Sequence, residues 1–283
     1  MREDYSRIDV RPVTGALGAE IIDIDLAEAL DNETFSEIYD AFLDHLVLFF
    51  RDQKLTPDQH KDFARRFGDL HVHPLTEGLP GHPEIVEVIK EPDEHHNWGD
   101  GWHTDLQFLD KPPMSSVLYA REVPAFSGDT HFANTYLAYD MLSDVMKERL
   151  DGLKCVFKGG VANYSRFEGM TAIEDAGEFV ATHPIVRTHP VTERKALYLH
   201  RKNSNAIEGM SERESAAILE FLYNHAQNPY FACRFHWQAN SIAMWDNRCT
   251  QHWVSADYYY AERGFEPSRR RLQRVTMEGD RPF

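Results

Sequence analysis

Short runs of apolar, β-branched and aromatic residues recur along the whole chain and predict strands. The runs are bounded by residues such as Gly, Pro and Asp, which commonly end a strand. The predicted strands are Leu46–Phe50, Ile85–Ile89, Ser116–Glu122, Ala196–His200, Phe231–Trp237, Ile242–Trp245 and Arg270–Met277. The pattern therefore predicts a chain that is mainly β.

Helical periodicity is confined to a few segments, and two of them carry clear start signals. The predicted helices are Asp31–His45, Thr56–Gly68, Tyr136–Leu150 and Ser211–His225. Thr56 before Pro57 is typical of an N-cap and the first helical position, and Ser211 with Glu214 forms a capping box. Strands scattered among segregated helices favour an α+β fold or a β-sandwich wrapped by helices. Because no linker or internal repeat divides the chain, residues 1–283 are predicted to form one domain.

The amino-acid composition limits which partners the protein can bind and in which cellular compartment it is expected. The 283 residues carry 30 Lys+Arg and 46 Asp+Glu, a formal charge of −16. Such a charge argues against nucleic acid or an anionic membrane as a partner, because both would be repelled. The three Cys form no Cys-x-x-Cys pair, which favours a reduced, cytoplasmic protein. The longest apolar run is far shorter than the roughly 20 residues of a membrane span.

The motif Trp102-His103-Thr104-Asp105 is the sharpest candidate for metal binding. In a strand, His103 and Asp105 would face the same side, because residues i and i+2 do so. His252, shortly after the predicted strand Ile242–Trp245, would supply a third ligand. Two His and one carboxylate form the facial triad of non-haem Fe(II) oxygenases, which leaves coordination positions open. The alternative is that His252 is an ordinary, hydrogen-bonded histidine.

A second His-x-Asp pair, His60 and Asp62, falls in the predicted helix Thr56–Gly68. Residues i and i+2 diverge on a helix, so this pair is not expected to share a metal ion. We expect both side chains to lie on a solvated helix face.

Three consecutive arginines open the last predicted strand. Strand parity places Arg270, Leu272 and Arg274 on one face. Burying two Arg on a face that also carries Leu is costly unless they meet anions. A guanidinium grips a carboxylate or sulfonate through two hydrogen bonds. The alternative is a solvated, basic edge strand.

Taken in order along the chain, these and other motifs resemble the taurine dioxygenase family of Fe(II)/2-oxoglutarate-dependent dioxygenases. The matching segments are Thr14–Ile21, Arg51–Gln53, Arg66–Gly68, His71–Pro74, Trp102–Asp105, Gly128–Thr130, His189–Thr192, Lys195–Tyr198, Trp245–Arg248, Gln251–His252 and Gly279–Phe283. The resemblance covers nearly the whole chain. It implies a double-stranded β-helix (jelly-roll) core flanked by helices.

The resemblance also implies an activity and a role for individual residues. The enzyme would use Fe(II), 2-oxoglutarate and O2 to oxidise, most simply to hydroxylate, a C–H bond of a small anionic substrate, with release of succinate and CO2. Relatives form homodimers or homotetramers. The implied iron ligands are His103, Asp105 and His252; the implied 2-oxoglutarate contacts are Thr130 and Arg270; the implied substrate contacts are His73 and Arg274.

Several positions depart from the taurine enzyme. Thr76 stands where it has a substrate-contacting Tyr, and Gly99 where it has an Asn. Asn163 and Asn203 replace two pocket aromatics, and an insertion occupies Tyr259–Ser268. These departures predict a substrate other than taurine, while an anion held by Arg274 stays consistent with the sequence.

Two other functions are compatible with the sequence. The spacing His71-x-His73-x-x-x-Glu77 matches the ligands of a cupin metal oxygenase or isomerase, although the flanking glycines of that motif are missing. A non-catalytic small-acid binding protein on the same scaffold is the second alternative. The presence of a complete ligand set together with Arg270 argues against it.

Overall fold

The computed structural model describes residues 5–94, 98–160, 172–173, 177–258, 264, 266 and 268–283. The helices are α1 (Asn32–His45), α2 (Pro57–Arg65), α3 (Thr135–Asp140), α4 (Asp144–Leu150) and α5 (Glu212–Ala226). The predicted N-cap at Thr56 and the predicted capping box of Ser211 and Glu214 are confirmed, and in the structure Gln59 completes a capping box at Thr56 as well.

The single helix predicted for Tyr136–Leu150 is wrong. The segment forms α3 and α4, which are separated at residues 141–143. The Ser143 side chain accepts a hydrogen bond from the backbone N–H of Met146 and so gives α4 an N-cap of its own. Apolar periodicity alone does not reveal this break, because a Ser inside a helix and a Ser at an N-cap look alike in the pattern.

The strands are numbered in chain order. They are β1 (Asp9–Pro12), β2 (Ala19–Ile22), β3 (Val47–Phe50), β4 (Leu70–His71), β5 (Ile85–Lys90), β6 (Ser115–Glu122), β7 (Thr130–Asn134), β8 (Lys154–Gly160), β9 (Glu178–Pro184), β10 (Val186–Thr188), β11 (Lys195–Leu197), β12 (Ser204–Ile207), β13 (Ala232–Phe235), β14 (Ile242–Asp246), β15 (Thr250–Val254) and β16 (Arg270–Met277). Each predicted strand overlaps an observed one. The prediction for Ala196–His200 extends beyond the observed strand, which ends at Leu197.

Two sheets face each other. The major sheet has the order β1-β2-β3-β14-β6-β16-β4, with β5 also pairing with β16, and the minor sheet has the order β13-β7-β15. Phe49 of the major sheet stacks on Phe235 of the minor sheet at 4.1 Å between ring centroids, and also contacts Phe132. Helices α1 and α2 pack on the outer side of the major sheet, whereas α3, α4 and α5 pack in a second cluster with β8, β11 and β12. This arrangement confirms the predicted jelly-roll core with flanking helices.

Strand β3 of the major sheet is apolar throughout, and both of its faces are buried. In β3, Val47 and Phe49 point toward the minor sheet, whereas Leu48 and Phe50 pack in the cluster formed with α1 and α2. A strand covered on both sides has no solvent-facing positions, so its sequence is a continuous apolar run rather than an alternation.

Strand β16 confirms the predicted parity. Arg270, Leu272 and Arg274 are buried toward the interior, while Arg271 hydrogen-bonds to Glu87 on the other face. Because β16 pairs with β6 on one side and with β4 and β5 on the other, the alternative of a solvated edge strand is wrong. Within the described part of the chain, none of the helices has the length and apolarity needed to cross a bilayer.

Candidate active site

His103, Asp105 and His252 converge between the two sheets. One ligand atom from each lies within 4.8 Å of the other two. His252 belongs to β15, and a pair of backbone hydrogen bonds of 2.8 and 2.9 Å joins it to His103. His103 and Asp105 do not lie on a common strand: His103 forms an isolated bridge and the chain then turns. The backbone turns at Leu106, directly after Asp105, with a φ of 49°.

Buried contacts fix both oxygens of the Asp105 carboxylate. The Ser116 hydroxyl donates to Oδ2 at 2.9 Å, and NH1 of Arg274 donates to Oδ1 at 2.9 Å. Burial by itself would raise the pKa of Asp105, but the positive charge of Arg274 and the neighbouring imidazoles of His252 and His103 hold it well below its usual range. Asp105 is therefore ionised at neutral pH.

The two imidazoles are held neutral. Burial, followed by the repulsion that protonated His252 and Lys202 would exert, lowers the pKa of His103 well below its ordinary value. Burial lowers the pKa of His252 to about 4, although Asp105 opposes the shift. Nδ1 of His103 donates to the carbonyl oxygen of Gly101 at 3.0 Å, which leaves the lone pair on Nε2. Neutral imidazoles and an ionised carboxylate are the forms that bind metals, so the donor set fits a divalent ion.

These three residues lie in the wall of a cavity of about 750 Å³, measured with its open mouth. Arg270 and Arg274 line the same cavity, together with Thr130. The remaining lining residues are Val88, Trp98, Gly99, Thr104, Leu106, Phe108, Leu118, Lys202, Asn203, Trp245 and Val254. The cavity thus combines a set of metal-binding side chains with two buried cations and an apolar wall.

Thr130 and Arg270 each lie against a residue next to the minor sheet, Trp237 after β13 and Gly128 before β7. Nε1 of Trp237 donates to the Thr130 hydroxyl oxygen at 2.9 Å, so the hydroxyl proton is oriented toward another acceptor. Gly128, with φ of +74°, lies against Arg270: a Cβ at this glycine would come within 3.0 Å of the Arg270 side chain. The glycine is required both by its backbone conformation and by this close approach.

Arg274 lies against an aromatic side chain. Its guanidinium carbon is 4.5 Å from the ring centroid of Trp98, and the ring of His73 packs edge-on against the same Trp at 6.1 Å. His73 is buried next to Trp98 but does not form part of the cavity wall. Burial and the charge of Arg274 lower the pKa of His73 well below its ordinary value. Its contact with substrate stays a prediction.

The structure adds residues that the sequence analysis did not single out. Ser116, Trp98 and Trp237 contact Asp105, Arg274 and Thr130, respectively. Lys202 lines the cavity, and its Nζ lies 3.8 Å from Oδ1 of Asp100. None of these residues stands at a characteristic spacing from the triad, so only their contacts in the folded chain identify them.

The other histidine motifs do not form comparable sites among the described residues. His60 is fully buried, and its Nε2 donates to the carbonyl oxygen of Val117 at 3.1 Å; the expectation of a solvated His60 is wrong, although Asp62 is exposed. Nδ1 of His71 lies 3.1 Å from a carboxylate oxygen of Glu278, and His71, His73 and Glu77 are not among the convergent groups.

A second convergent group, His189, Asp246 and Cys249, is satisfied internally. Both oxygens of Asp246 accept hydrogen bonds from Arg248, and Nε2 of His189 donates to Oδ2 at 3.1 Å. Because a guanidinium already occupies the carboxylate, this group is a buried hydrogen-bond network at the turn between β14 and β15.

Two of the positions that differ from the taurine enzyme line the cavity, namely Gly99 and Asn203. Thr76 is buried outside the cavity wall. Asn163 and most of the insertion at Tyr259–Ser268 lie outside the described residues.

A jelly roll with two His and one carboxylate between its sheets defines the class of non-haem Fe(II) oxygenases. The family model described as "Taurine catabolism dioxygenase TauD, TfdA family" matches residues 9–276. The chain therefore belongs to the TauD, TfdA family of dioxygenases. It is an oxidoreductase that uses Fe(II), O2 and 2-oxoglutarate, also named alpha-ketoglutarate, to hydroxylate a small organic substrate.

Individual relatives agree with this assignment. The chain is 32% identical to the alpha-ketoglutarate-dependent sulfate ester dioxygenase of Pseudomonas putida, covering 97% of this chain and 91% of the relative. It is 31% identical to the alkylsulfatase of Acinetobacter baylyi, covering 97% of this chain and 86% of the relative. A crystal structure of a taurine dioxygenase from Burkholderia xenovorans superimposes with a TM-score of 0.81 at 35% identity, covering 98% of this chain and 93% of that one.

Proposed function

We propose that His103, Asp105 and His252 hold the Fe(II) of this dioxygenase. One observation carries the proposal: the ligand atoms of these residues lie within 4.8 Å of one another in the wall of a cavity that also contains two buried arginines. The protonation state of each side chain supports it, because both imidazoles are neutral and the carboxylate is ionised at neutral pH.

Arg270 and Thr130 are proposed to bind the distal carboxylate of 2-oxoglutarate. Arg270 is 3% exposed and lines the cavity. A guanidinium buried at this depth is stabilised by a carboxylate partner. The Thr130 hydroxyl, which accepts from Trp237, retains its proton for the same carboxylate. Together the two side chains offer donors that orient a linear diacid along the cavity.

Arg274 is proposed to bind an anionic group of the substrate, with His73 at its side. Relatives named for sulfate esters, sulfonates and phenoxypropionate all act on compounds with an acidic group. Leu106 and Phe108 form an apolar wall in the same cavity. The substrate would therefore be held at one end by charge and along its body by apolar contact.

The reaction follows from these positions. In the overall balance, 2-oxoglutarate, O2 and R–H give succinate, CO2 and R–OH, so that one oxygen atom enters succinate and the other enters the product. Fe(II), when bound, supplies the electrons that activate O2 toward the C–H bond. Ser116 fixes the Asp105 carboxylate, Arg274 orients the substrate, and the apolar wall excludes water from the reacting centre.

Anaerobic titration of the Fe(II)-loaded protein with 2-oxoglutarate tests the proposal. We expect a weak visible charge-transfer band in the wild type, its loss in His103→Ala, and its retention in His82→Ala, a partly exposed histidine outside the cavity. Bound iron without any band in the wild type would exclude the assignment. That result would favour a small-acid binding protein on the same scaffold.

Three broader predictions stay part of the proposal. One domain over residues 1–283 is supported by the family match to residues 9–276. A cytoplasmic location rests on the three cysteines, which are buried and form no disulfide. Association into a homodimer or homotetramer is implied by the family resemblance, and analytical ultracentrifugation measures it.

A further inference from the structure

Lys202 adds a positive charge to the cavity. Its side chain lines the same cavity as Trp98 and Asn203. Ser204 and His200 hold the segment around it: the backbone N–H of Ser204 donates to the carbonyl oxygen of His200, and the backbone N–H of His200 donates to the Ser204 hydroxyl. The lysine therefore projects from a constrained turn.

The charges that line the cavity do not balance. Arg270, Arg274 and Lys202 are cationic, and Asp105 is the one acidic side chain among the described lining residues. Both oxygens of Asp105 are already hydrogen-bonded, to Ser116 and to Arg274. Fe(II) and the 2-oxoglutarate dianion neutralise each other, so their binding leaves this excess of positive charge unchanged.

Asp100, which is not a lining residue, compensates part of this excess of positive charge. Its Oδ1 is 3.8 Å from Nζ of Lys202, and the two side chains are partly exposed. An exposed pair at this distance screens the charge of Lys202 only in part. The remaining field favours a substrate with a net negative charge and opposes any cationic group that approaches Lys202.

The apolar part of the cavity wall suits an uncharged group rather than a cationic one. Trp98, Leu106 and Phe108 line the cavity, and the Trp98 ring lies against Arg274. Phe108 packs closely on the backbone at Gly159, where a Cβ would come within 2.1 Å of its ring. An ammonium group placed against this wall would lose hydration without gaining a carboxylate partner.

We propose that Lys202 is a specificity residue that excludes substrates bearing an ammonium group. The substrates of this enzyme are then organic monoanions, with a sulfonate, sulfate ester or carboxylate at Arg274 and an uncharged, apolar remainder. Zwitterions such as 2-aminoethanesulfonate (taurine) are excluded. This inference rests on the proposed role of Arg274.

Matched ligand pairs, which differ by a methyl group in place of an ammonium group, test the inference directly. The sulfonate pair is 1-propanesulfonate and 2-aminoethanesulfonate; the sulfate pair is propyl sulfate and 2-aminoethyl sulfate; the carboxylate pair is butanoate and 3-aminopropanoate. Calorimetric titration into protein loaded with Mn(II) and 2-oxoglutarate measures binding without turnover. We expect the methyl member of at least one pair to bind at least about tenfold more tightly than its ammonium partner.

Substitution of the lysine should change this preference. Lys202→Glu should reduce the ratio of the affinity for the methyl member to that for the ammonium member by at least about tenfold. Lys202→Met, which keeps the length and removes the charge, should reduce this ratio by a smaller factor. Lys195→Glu is the matched control, because Lys195 is half exposed and pairs with Asp151 outside the cavity. It should leave the ratio unchanged.

The outcomes separate the two proposals. Equal binding of both members by the wild type, or a ratio that Lys202→Glu and Lys202→Met leave unaltered, would overturn the inference about Lys202 while the role of Arg274 stands. If no member of any pair binds although 2-oxoglutarate does, the proposed anion site at Arg274 is wrong, and the inference fails with it.

Discussion

Arg274 donates a hydrogen bond through NH1 to Oδ1 of Asp105 at 2.9 Å. Both side chains are buried, and the same oxygen lies 4.0 Å from Nε2 of His252. The proposed substrate anchor therefore pairs directly with a proposed metal ligand. Arg274 compensates a negative charge that would otherwise be costly at this depth.

Loss of this arginine should affect stability as well as substrate binding. In Arg274→Gln, the metal-free protein should lose about 3 kcal/mol of its free energy of unfolding, because a buried Asp105 is left without its cation. Mn(II) should restore part of this loss by supplying positive charge at the same carboxylate. Urea unfolding with and without Mn(II) measures both effects.

Arg271→Gln is the control for that experiment. Arg271 is on the opposite face of β16 and pairs with Glu87 in a partly exposed position, so its loss should cost about 1 kcal/mol or less. Equal losses in the two variants, with no effect of Mn(II) on Arg274→Gln, would contradict a specific pairing of Arg274 with Asp105.

Arg270→Gln should weaken the binding of 2-oxoglutarate far more than Arg269→Gln, by about 100-fold or more for a lost charge-assisted pair. Arg270 is buried in the cavity wall, whereas Arg269 is partly exposed and pairs with Glu91. Anaerobic titration of the visible band in each variant gives the dissociation constants. The reverse order would show that the insertion before β16 has shifted the register of the arginine triplet.

Ser116→Ala should lower the affinity for the metal by about tenfold, because partners of a metal ligand typically contribute 10- to 100-fold to binding. The hydroxyl of Ser116 donates to Oδ2 of Asp105, and that of neighbouring Ser115 donates to the carbonyl oxygen of Trp245 instead. Ser115→Ala is therefore a buried serine control that leaves Asp105 untouched. Competition of Mn(II) with a chelator measures the affinity, and similar values for both variants would exclude a role of Ser116 in positioning the carboxylate.

His60 should make the protein less stable as the pH falls. Burial lowers the pKa of His60 from 6.5 to about 4 in the folded state, so the unfolded chain binds a proton at a higher pH than the folded one. The stability that neutral His60 provides is complete above pH 6.5 and is lost as the pH falls from 6.5 to about 4. The loss from this residue amounts to roughly 3 kcal/mol.

His60→Gln should therefore have a flatter dependence of stability on pH in this range. Gln keeps a donor for the carbonyl oxygen of Val117 but carries no titratable group. Chemical denaturation of the wild type and the variant at several pH values between 7 and 4 gives the two slopes. Identical slopes would show that His60 does not contribute to the acid sensitivity of the protein.

Much of the fold is predictable because it rests on local patterns. Strand β3, which is buried on both faces, is a continuous apolar run, and the caps at Thr56 and Ser211 mark the helix starts that the structure confirms. The parity of Arg270 and Arg274 follows from the alternation of side chains along any strand. The order of the family motifs identifies the class of enzyme.

Other predictions failed where tertiary contacts override the local pattern. The break between α3 and α4 depends on Ser143 acting as a cap rather than as an interior residue. His60 belongs to a polar sequence, yet it is covered by β6 in the folded chain and bonds to Val117. His103 and Asp105 share a site without sharing a strand, because the turn after His103 directs the carboxylate.

The sequence by itself determines the residue types of the proposed triad, the two inward arginines and the family to which the chain belongs. The tertiary structure decides which neighbours control them: Ser116 and Arg274 around Asp105, and Lys202 beside the substrate cavity. These contacts join residues far apart in the chain. Since hydrogen bonds and charges act over distances in space, no spacing in the sequence reports them.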